Sequence, residues 1–179
     1  GGGRGGRGGI ALSPRSPASL QRLAIHWQQA FVAAKDERAQ GIHELLGVST
    51  YEGARPILLY VRAIGDEYAP AEDRVRRVLA DEQVQIATKL FDAIYLAWKD
   101  VDPRLHPYIG KKKRPALAVF DPRGKRLALI HGKSSPRKLL TLMGRASKPR
   151  YEQSLSKTLA EYLLLFKDFD RIDDLKSFM

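Results

Sequence analysis

The sequence predicts an α/β fold with a central mixed sheet of about four strands, flanked by helices. A continuous apolar run at residues 56–61 has the length expected of a strand that is covered on both faces. A second run, at residues 91–98, has high β-propensity and follows helical sequence, which indicates a βαβ unit with a right-handed crossover. Residues 114–132 add a hairpin of two short apolar strands, whose turn at 121–124 has the sequence Asp-Pro-Arg-Gly, a type I pattern.

Helices are predicted before and between these strands. One helix runs from Ser19 to about Gln40, because apolar residues recur there at spacings of three and four: Leu20, Leu23, Trp27, Phe31 and Ala34. Gly41 and residues 47–53 then interrupt the pattern and leave one further turn at 42–46. Pro70 can begin the next helix, and a second short helix starts at residues 81–84.

The chain after the hairpin is predicted to be helical. Ser135 and Pro136 can cap and start a helix, and Gly144 offers a stop. A last helix is expected from about Arg150, and an apolar stripe at a three-residue spacing continues to its end: Phe169, Ile172, Leu175 and Phe178. We expect this stripe to fold back on the domain, with dimerisation as the alternative.

Length and composition indicate one domain with tails. The chain has 179 residues and is 44% hydrophobic, which suffices for one core. No apolar run approaches the ~20 residues that cross a bilayer, so no membrane span is expected. Residues 1–16 are rich in Gly, Arg and Pro and are expected to form a flexible tail, because they cannot bury enough apolar surface to become ordered. Two Arg-Gly-Gly units in this tail are similar to those of RNA-binding tails, and a plain spacer explains them as well.

The positive charge is concentrated in one block of the chain. The formal net charge is +11, and residues 104–150 contain 14 Lys and Arg with a single acid, Asp121. Such a block can attract nucleic acid, an anionic membrane or an acidic protein, and it can also serve only as a solubilising surface.

The order of the elements resembles that of the thioredoxin-like superfamily: helix, strand, helix, strand, a hairpin led by a proline, and helix. The branch that includes the C-terminal domain of the thiol:disulfide interchange protein DsbD is more similar still. Its members often have a tryptophan, spaced alanines and a lysine before the Lys-Pro or Arg-Pro that leads into the first central strand; here these residues are Trp27, Ala30, Ala34, Lys35, Arg55 and Pro56. The resemblance covers roughly residues 22–143. It implies a three-layer sandwich at 17–149, with an insertion near 41–53 and a C-terminal helical extension at 150–179.

The redox motif of that superfamily is absent from this chain. The resemblance places residues 66–69, Asp-Glu-Tyr-Ala, where the Cys-x-x-Cys would stand, and the chain contains no cysteine. Disulfide exchange requires a thiolate, so disulfide chemistry is excluded, as are glutathione transfer and peroxide reduction by a catalytic cysteine. We therefore expect a protein that is not an enzyme.

Pro115 resembles the proline that follows a cis peptide bond in the superfamily. The resemblance implies that such a bond exposes the backbone of Arg114, which can then pair with an extended peptide as an added strand does. The alternative is that Pro115 only shapes the loop.

The basic residues of the hairpin are predicted to lie at its two ends. A strand rises ~3.3 Å per residue, so residues 116–120 separate their ends by about 15 Å. Arg123, Lys125 and Arg126 are expected at the turn, and Arg137 and Lys138 can join the basic residues at the other end. The residues expected to bind a peptide or an anion at that other end are Lys111, Lys112, Lys113, Arg114, Pro115, Lys133, Asp66 and Tyr68.

These observations predict a non-redox interaction module that binds an unidentified protein or peptide, for which an acidic sequence is the best match. The alternative is a nucleic-acid-binding accessory protein that uses the basic block and the Arg-Gly-Gly tail. Only Tyr108 and Phe120 are aromatic within the block, which disfavours stacking on single strands. A structural domain within a larger assembly is a third hypothesis.

No metal site or cofactor is predicted. The histidines, which are His26, His43, His106 and His131, are isolated in sequence, and none has a metal-ligand spacing such as His-Glu-x-x-His. A chain without cysteine fits either the cytosol or the periplasm. The resemblance favours a periplasmic or secreted protein with a processed signal peptide.

Overall fold

The computed structural model describes residues 15–30, 38–39 and 41–178. The α-helices of this part are α1 (Pro17–Leu23), α2 (Ile42–Leu45), α3 (Ala69–Leu79), α4 (Glu82–Ala87), α5 (His106–Ile109), α6 (Pro136–Ser147) and α7 (Leu155–Ser177). The strands are β1 (Gln28–Gln29), β2 (Ile57–Arg62), β3 (Asp92–Ala97), β4 (Ala116–Phe120) and β5 (Arg126–Ile130). Short 3-10 turns lie at Asp66–Tyr68, Thr88–Leu90, Trp98–Asp100 and Pro103–Leu105. The predicted α/β class is confirmed.

The strands form one mixed sheet in the order β1-β3-β2-β4-β5. β1, β3 and β2 run parallel, while β4 is antiparallel to β2 and β5 is antiparallel to β4. The described sheet has five strands instead of the predicted four, because Gln28 and Gln29 pair beside Ile94 and Tyr95. Two glutamines carry no apolar signal, so the sequence does not reveal this edge strand.

The sheet is covered on both faces, which places β2 and β4 at the centre of the core. Successive strand residues point to opposite faces. Leu58 and Tyr60 accordingly pack in a cluster with residues of α3, α4, α6 and α7. Ile57 and Leu59 pack on the other face, in a cluster that includes residues of α2 and α5. The continuous apolar run at 56–61 therefore marks a doubly buried strand, as predicted.

The first predicted helix is wrong in length. It ends at Leu23, and residues 24–27 lead into β1. The apolar spacing continues to Trp27, but the Trp27 ring lies 5.7 Å from the Tyr60 ring on the sheet, so contact with the sheet and not helical periodicity explains that residue. The remainder of the predicted helix, at residues 31–37 and 40, lies outside the described residues.

The chain end predicted to be a flexible tail is only partly described. Residues 1–14 lie outside the described residues. The last two residues of the predicted tail have defined contacts, since Ser16 accepts a hydrogen bond from the Ser19 amide as the N-cap of α1 and Arg15 forms ion pairs with Glu82 and Asp170. The segment predicted as an insertion near 41–53 contributes Ile42 to the core, where this side chain is fully buried.

The predicted hairpin is confirmed, with its turn at residues 121–124. The Gly124 amide donates to the Asp121 carbonyl at 2.9 Å, and Gly124 has a φ of 84°, a conformation that glycine adopts without strain. The Asp121 carboxylate accepts from the amides of Arg123 and Lys125, both at 2.9 Å. The single acid of the basic block is therefore bound to the turn backbone.

The helices after the hairpin differ from prediction in three places. α6 continues through Gly144, which is not a stop, and α7 begins at Leu155 with Ser154 as N-cap rather than near Arg150. The side chains of the terminal stripe are not buried, since Phe169, Ile172, Leu175 and Phe178 are 46–88% exposed, although Arg22 of α1 holds this part of α7. Within the described residues, no helix combines the length and apolar character of a membrane span.

Candidate functional site

Three loops converge at one end of the sheet, next to Pro115. The loop after β2 carries residues 63–68, the loop before β4 carries residues 110–115, and the loop after β5 begins at His131. The strand register places them together, because Val61 pairs with Ala116 and Leu117 pairs with Ile130. We call the residues predicted for this place the basic site: Lys111, Lys112, Lys113, Arg114, Pro115, Lys133, Asp66 and Tyr68.

The loop after β2 is held by one buried carboxylate. Glu72, in the first turn of α3, is 3% exposed. It accepts hydrogen bonds from the Tyr60 hydroxyl and, at 2.8 Å, from the amide of Ala63. Burial and the hydrogen bond to Glu72 raise the pKa of Tyr60. Sequence analysis missed Glu72, since an acid at the start of a helix is ordinarily explained by the helix dipole.

Tyr68 connects this loop to the loop before β4. The Lys113 ammonium lies 5.2 Å from the centroid of the Tyr68 ring, which is the geometry of a cation–π contact. The two residues are separated by 45 positions in the chain, and the structure brings them together as the sequence analysis expected. Tyr68 closes the 3-10 turn Asp66–Tyr68, in which Asp66 is exposed.

The remaining cations of the basic site are solvent-exposed and unpaired. Lys111, Lys112, Arg114 and Lys133 are all exposed, and Pro115 between them is buried. Among the described residues, no ion pair involves any of these four cations, Lys113 or Asp66. No hydrogen bond joins the members of the site to one another in that part of the chain. The site is therefore a set of free charges around one anchored pair, Lys113 and Tyr68.

The loop before β4 links the two ends of the hairpin. Arg126, at the start of β5, donates a hydrogen bond of 2.7 Å to the Tyr108 carbonyl, and the Tyr108 ring packs 5.9 Å from the Phe120 ring near the turn. From there the chain runs through residues 110–114 to Pro115 at the opposite end. The Arg126 bond therefore connects the group of basic residues at the turn to the segment that precedes Lys111.

His131 lies behind the basic site and was not predicted as part of it. Its Nδ1 lies 3.2 Å from the carbonyl oxygen of Pro115, so Nδ1 is the protonated donor, and its Nε2 is buried without a hydrogen-bond partner in the described structure. Burial lowers the pKa of His131, and the charges of Arg114 and Arg126 lower it further, against the opposing effect of the Pro115 bond. In the sequence, only the position of His131 directly after the second strand of the hairpin could have indicated that it belongs to this site.

The resemblance predicts a cis peptide bond before Pro115, and this prediction is wrong. No peptide bond in the described part of the chain is cis, so the Arg114–Pro115 bond is trans. A cis bond is what would expose the Arg114 backbone to an extended peptide in the way the resemblance implies. The resemblance therefore gives no support for peptide pairing at Arg114, and the exposed charged side chains remain the candidate binding groups.

A separate groove of about 1040 Å³ lies between α6 and the start of α7. Its apolar residues are Leu140, Leu155 and Leu159, and its rim includes Arg137 and Arg145. Arg137, which the sequence analysis grouped with the basic site, lines this groove. No group of three His, Asp or Glu side chains in the described residues is arranged to hold a metal ion.

Comparison of the chain with protein-family models gave no match, and comparison with curated proteins gave none either.

Proposed function

We propose that this protein is a non-catalytic, thioredoxin-like binding module that holds an acidic peptide segment of a partner protein at the basic site. The observed order of elements supports the thioredoxin-like part of the proposal. A parallel βαβ unit built from β2, α3 and β3 precedes an antiparallel hairpin and α6, as in the superfamily order described above.

One observation carries the binding part: the basic site has five exposed cations that no described acid neutralises. Lys and Arg at a surface with no partner create a positive potential that accelerates the approach of an anionic segment and favours it over neutral ones. Asp121, the only acid of the surrounding block, is bound to turn amides. A partner with several closely spaced carboxylates is the complement of this surface.

The arrangement assigns different roles to the residues. Lys113 is fixed against the Tyr68 ring and offers a positioned charge, whereas Lys111 and Lys112 are free to follow the carboxylates of a bound peptide. Asp66 repels carboxylates from the loop after β2 and so limits where they can lie. Residues 66–69 contain no cysteine, so thiol chemistry is excluded at this end of the sheet.

The test is a titration of the protein with a fluorescently labelled Glu/Asp-rich peptide, followed by anisotropy at two salt concentrations. We expect Lys111→Glu, Lys112→Glu and Lys113→Glu together to weaken binding by at least about tenfold. The matched control reverses three exposed cations elsewhere, Arg77, Lys157 and Lys167, and changes the net charge equally. If both triple variants weaken peptide binding equally, the effect comes from net charge alone, and the proposed site is wrong.

Nucleic acid is tested in the same assay with labelled single-stranded RNA and duplex DNA. Binding to phosphates releases counterions and falls steeply with salt. Tighter binding of RNA or DNA than of the acidic peptide at both salt concentrations would replace the proposal by the nucleic-acid alternative.

A further inference from the structure

The groove between α6 and the start of α7 follows α6 along its length and adjoins the basic site. Its lining on this side extends from Ser135, the N-cap of α6, to Lys148, the C-cap. At ~1.5 Å per residue, the 12 residues of α6 give the groove a length of about 18 Å. Ser135 follows Lys133, a member of the basic site, by two residues, which span at most about 7 Å. We call this feature the α6 groove.

The rim of the α6 groove is positively charged. Arg137, Arg145 and Lys148 line it from one side of α6, and all three are exposed. None of them forms an ion pair among the described residues. Two acids also line the groove: Asp81 accepts a hydrogen bond as the N-cap of α4, and Glu152 is exposed. The excess of cations makes the groove complementary to an anionic segment.

The floor of the α6 groove is apolar and has room for a side chain. Leu140, Leu155 and Leu159 line it, together with Gly144 of α6. A β-carbon at Gly144 would lie 3.8 Å from the Leu155 side chain, so the absence of a side chain at this position leaves the floor open there. Glycine is unfavourable in the interior of a helix relative to alanine. At this position it provides space for an apolar side chain of a bound molecule.

We propose that the acidic segment bound at the basic site continues into the α6 groove, where its apolar side chains pack on the floor and its carboxylates face Arg145 and Lys148. This inference rests on the proposed function, because it follows the same partner segment further along the surface. The two features that carry it are the position of Ser135 next to Lys133 and the excess of cations along the whole groove.

The dimensions of the groove define the kind of partner. An extended chain rises ~3.3 Å per residue, so about 18 Å of groove accommodates five or six residues. Successive side chains of an extended chain point to opposite sides, so every second residue can reach the floor. The partner segment is therefore an acidic block followed or preceded by a stretch in which acidic and apolar residues alternate.

The test measures binding of fluorescently labelled peptides to the full chain by anisotropy. A short peptide of about six Glu and Asp residues reports on the basic site, and long peptides add about six residues, the length of the α6 groove. The added part alternates Leu with Glu, or Ser with Glu in the control, and is placed at either end of the acidic block. We expect the Leu peptide, in one of the two orders, to bind at least about tenfold more tightly than the Ser peptide.

Two changes in the protein test the location of this gain. Gly144→Met keeps a helix-forming residue in α6 and fills the floor, so it should abolish the advantage of the Leu peptide and leave binding of the short peptide unchanged. Arg145→Glu combined with Lys148→Glu should weaken both long peptides by at least about tenfold. The matched control, Arg77→Glu combined with Lys167→Glu, changes the net charge equally on exposed residues outside the groove and should have a clearly smaller effect.

The outcomes separate this inference from the proposed function. If the Leu and Ser peptides bind equally, or if Gly144→Met leaves the Leu advantage intact, the α6 groove does not hold the segment. The proposed function survives that result as long as reversal of Lys111, Lys112 and Lys113 weakens binding of the short peptide. If that reversal has no effect, the proposed function is wrong, and a Leu advantage that Gly144→Met still abolishes would assign the groove to a separate ligand.

Discussion

The junction of α1 with α7 and the basic site use charge in opposite ways. At the junction, Arg15 and Arg22 pair with acids of α4 and α7, so that each charge joins two elements of the fold. At the basic site, five exposed cations have no ion-pair partner in the described structure, and the loop after β2 is held instead by the buried Glu72, which accepts from the Ala63 amide. Paired charges therefore connect elements, while the proposed peptide binding relies on the unpaired charges.

The largest effect on stability is expected from the buried carboxylate. Glu72→Ala leaves the Tyr60 hydroxyl and the Ala63 amide buried without an acceptor, and we expect the free energy of unfolding to fall by about 2–4 kcal/mol. Urea unfolding followed by circular dichroism measures it. Glu72→Gln retains an acceptor and should cost clearly less; equal losses would mean that the hydrogen bonds contribute little.

The next largest effect should be a loss of stability at alkaline pH. The pKa of Tyr60 is raised above its unfolded value by burial and by Glu72, so the native state holds this proton more tightly. The resulting stability is fully present below pH about 10 and is lost as the pH rises beyond it. Unfolding midpoints measured at rising pH should fall less in Tyr60→Phe than in the parent chain, relative to neutral pH.

A smaller dependence of stability on pH is expected below neutral pH. The pKa of His131 is lowered in the folded state, so its contribution to stability is present above pH about 6.5 and declines as the pH falls below that value. Arg114→Ala removes one cause and should raise this pKa, observed as a shifted imidazole titration by NMR. An unchanged titration would show that the charge of Arg114 does not contribute to the lowered pKa.

The smallest effects are expected from substitution of the surface charges in the two regions. Arg22→Ala should lower the melting temperature slightly at low salt, and the difference should shrink as salt screens the ion pairs. Replacing Lys111 and Lys112 by Ala should not lower the melting temperature, because neither ammonium has an ion-pair partner in the described structure. A loss equal to that of Arg22→Ala would contradict the contrast between the two regions.

Much of the sheet could be predicted because its signals are local. A continuous apolar run marks β2, and the Asp-Pro-Arg-Gly turn marks the hairpin through the dihedral angles that these residues prefer. The length of α1 could not be predicted, since Trp27 fits a helical spacing and yet packs on Tyr60 of the sheet. Periodicity identifies an apolar face without showing what covers it, which is also why Phe169, Ile172, Leu175 and Phe178 were wrongly expected to be buried.

From the sequence, the candidate site could be predicted only around its run of basic residues. Lys113 and Tyr68 were expected at one end of the sheet, and they are in contact there. Glu72 and His131 were missed because their importance depends on burial beside residues distant in the chain, Tyr60 and Pro115. Single acids and histidines at element ends are common, so their residue type alone does not indicate such a role.

The hydrogen bond from the Ala63 amide to Glu72 also determines how the loop after β2 moves. An amide in an exposed loop exchanges its hydrogen with water through small local openings, whereas that of Ala63 can exchange only when Glu72 separates from the sheet. Slow exchange at Ala63 would therefore show that the loop opens together with α3. A loop held in this way has little conformational entropy left to lose in the peptide binding that we propose.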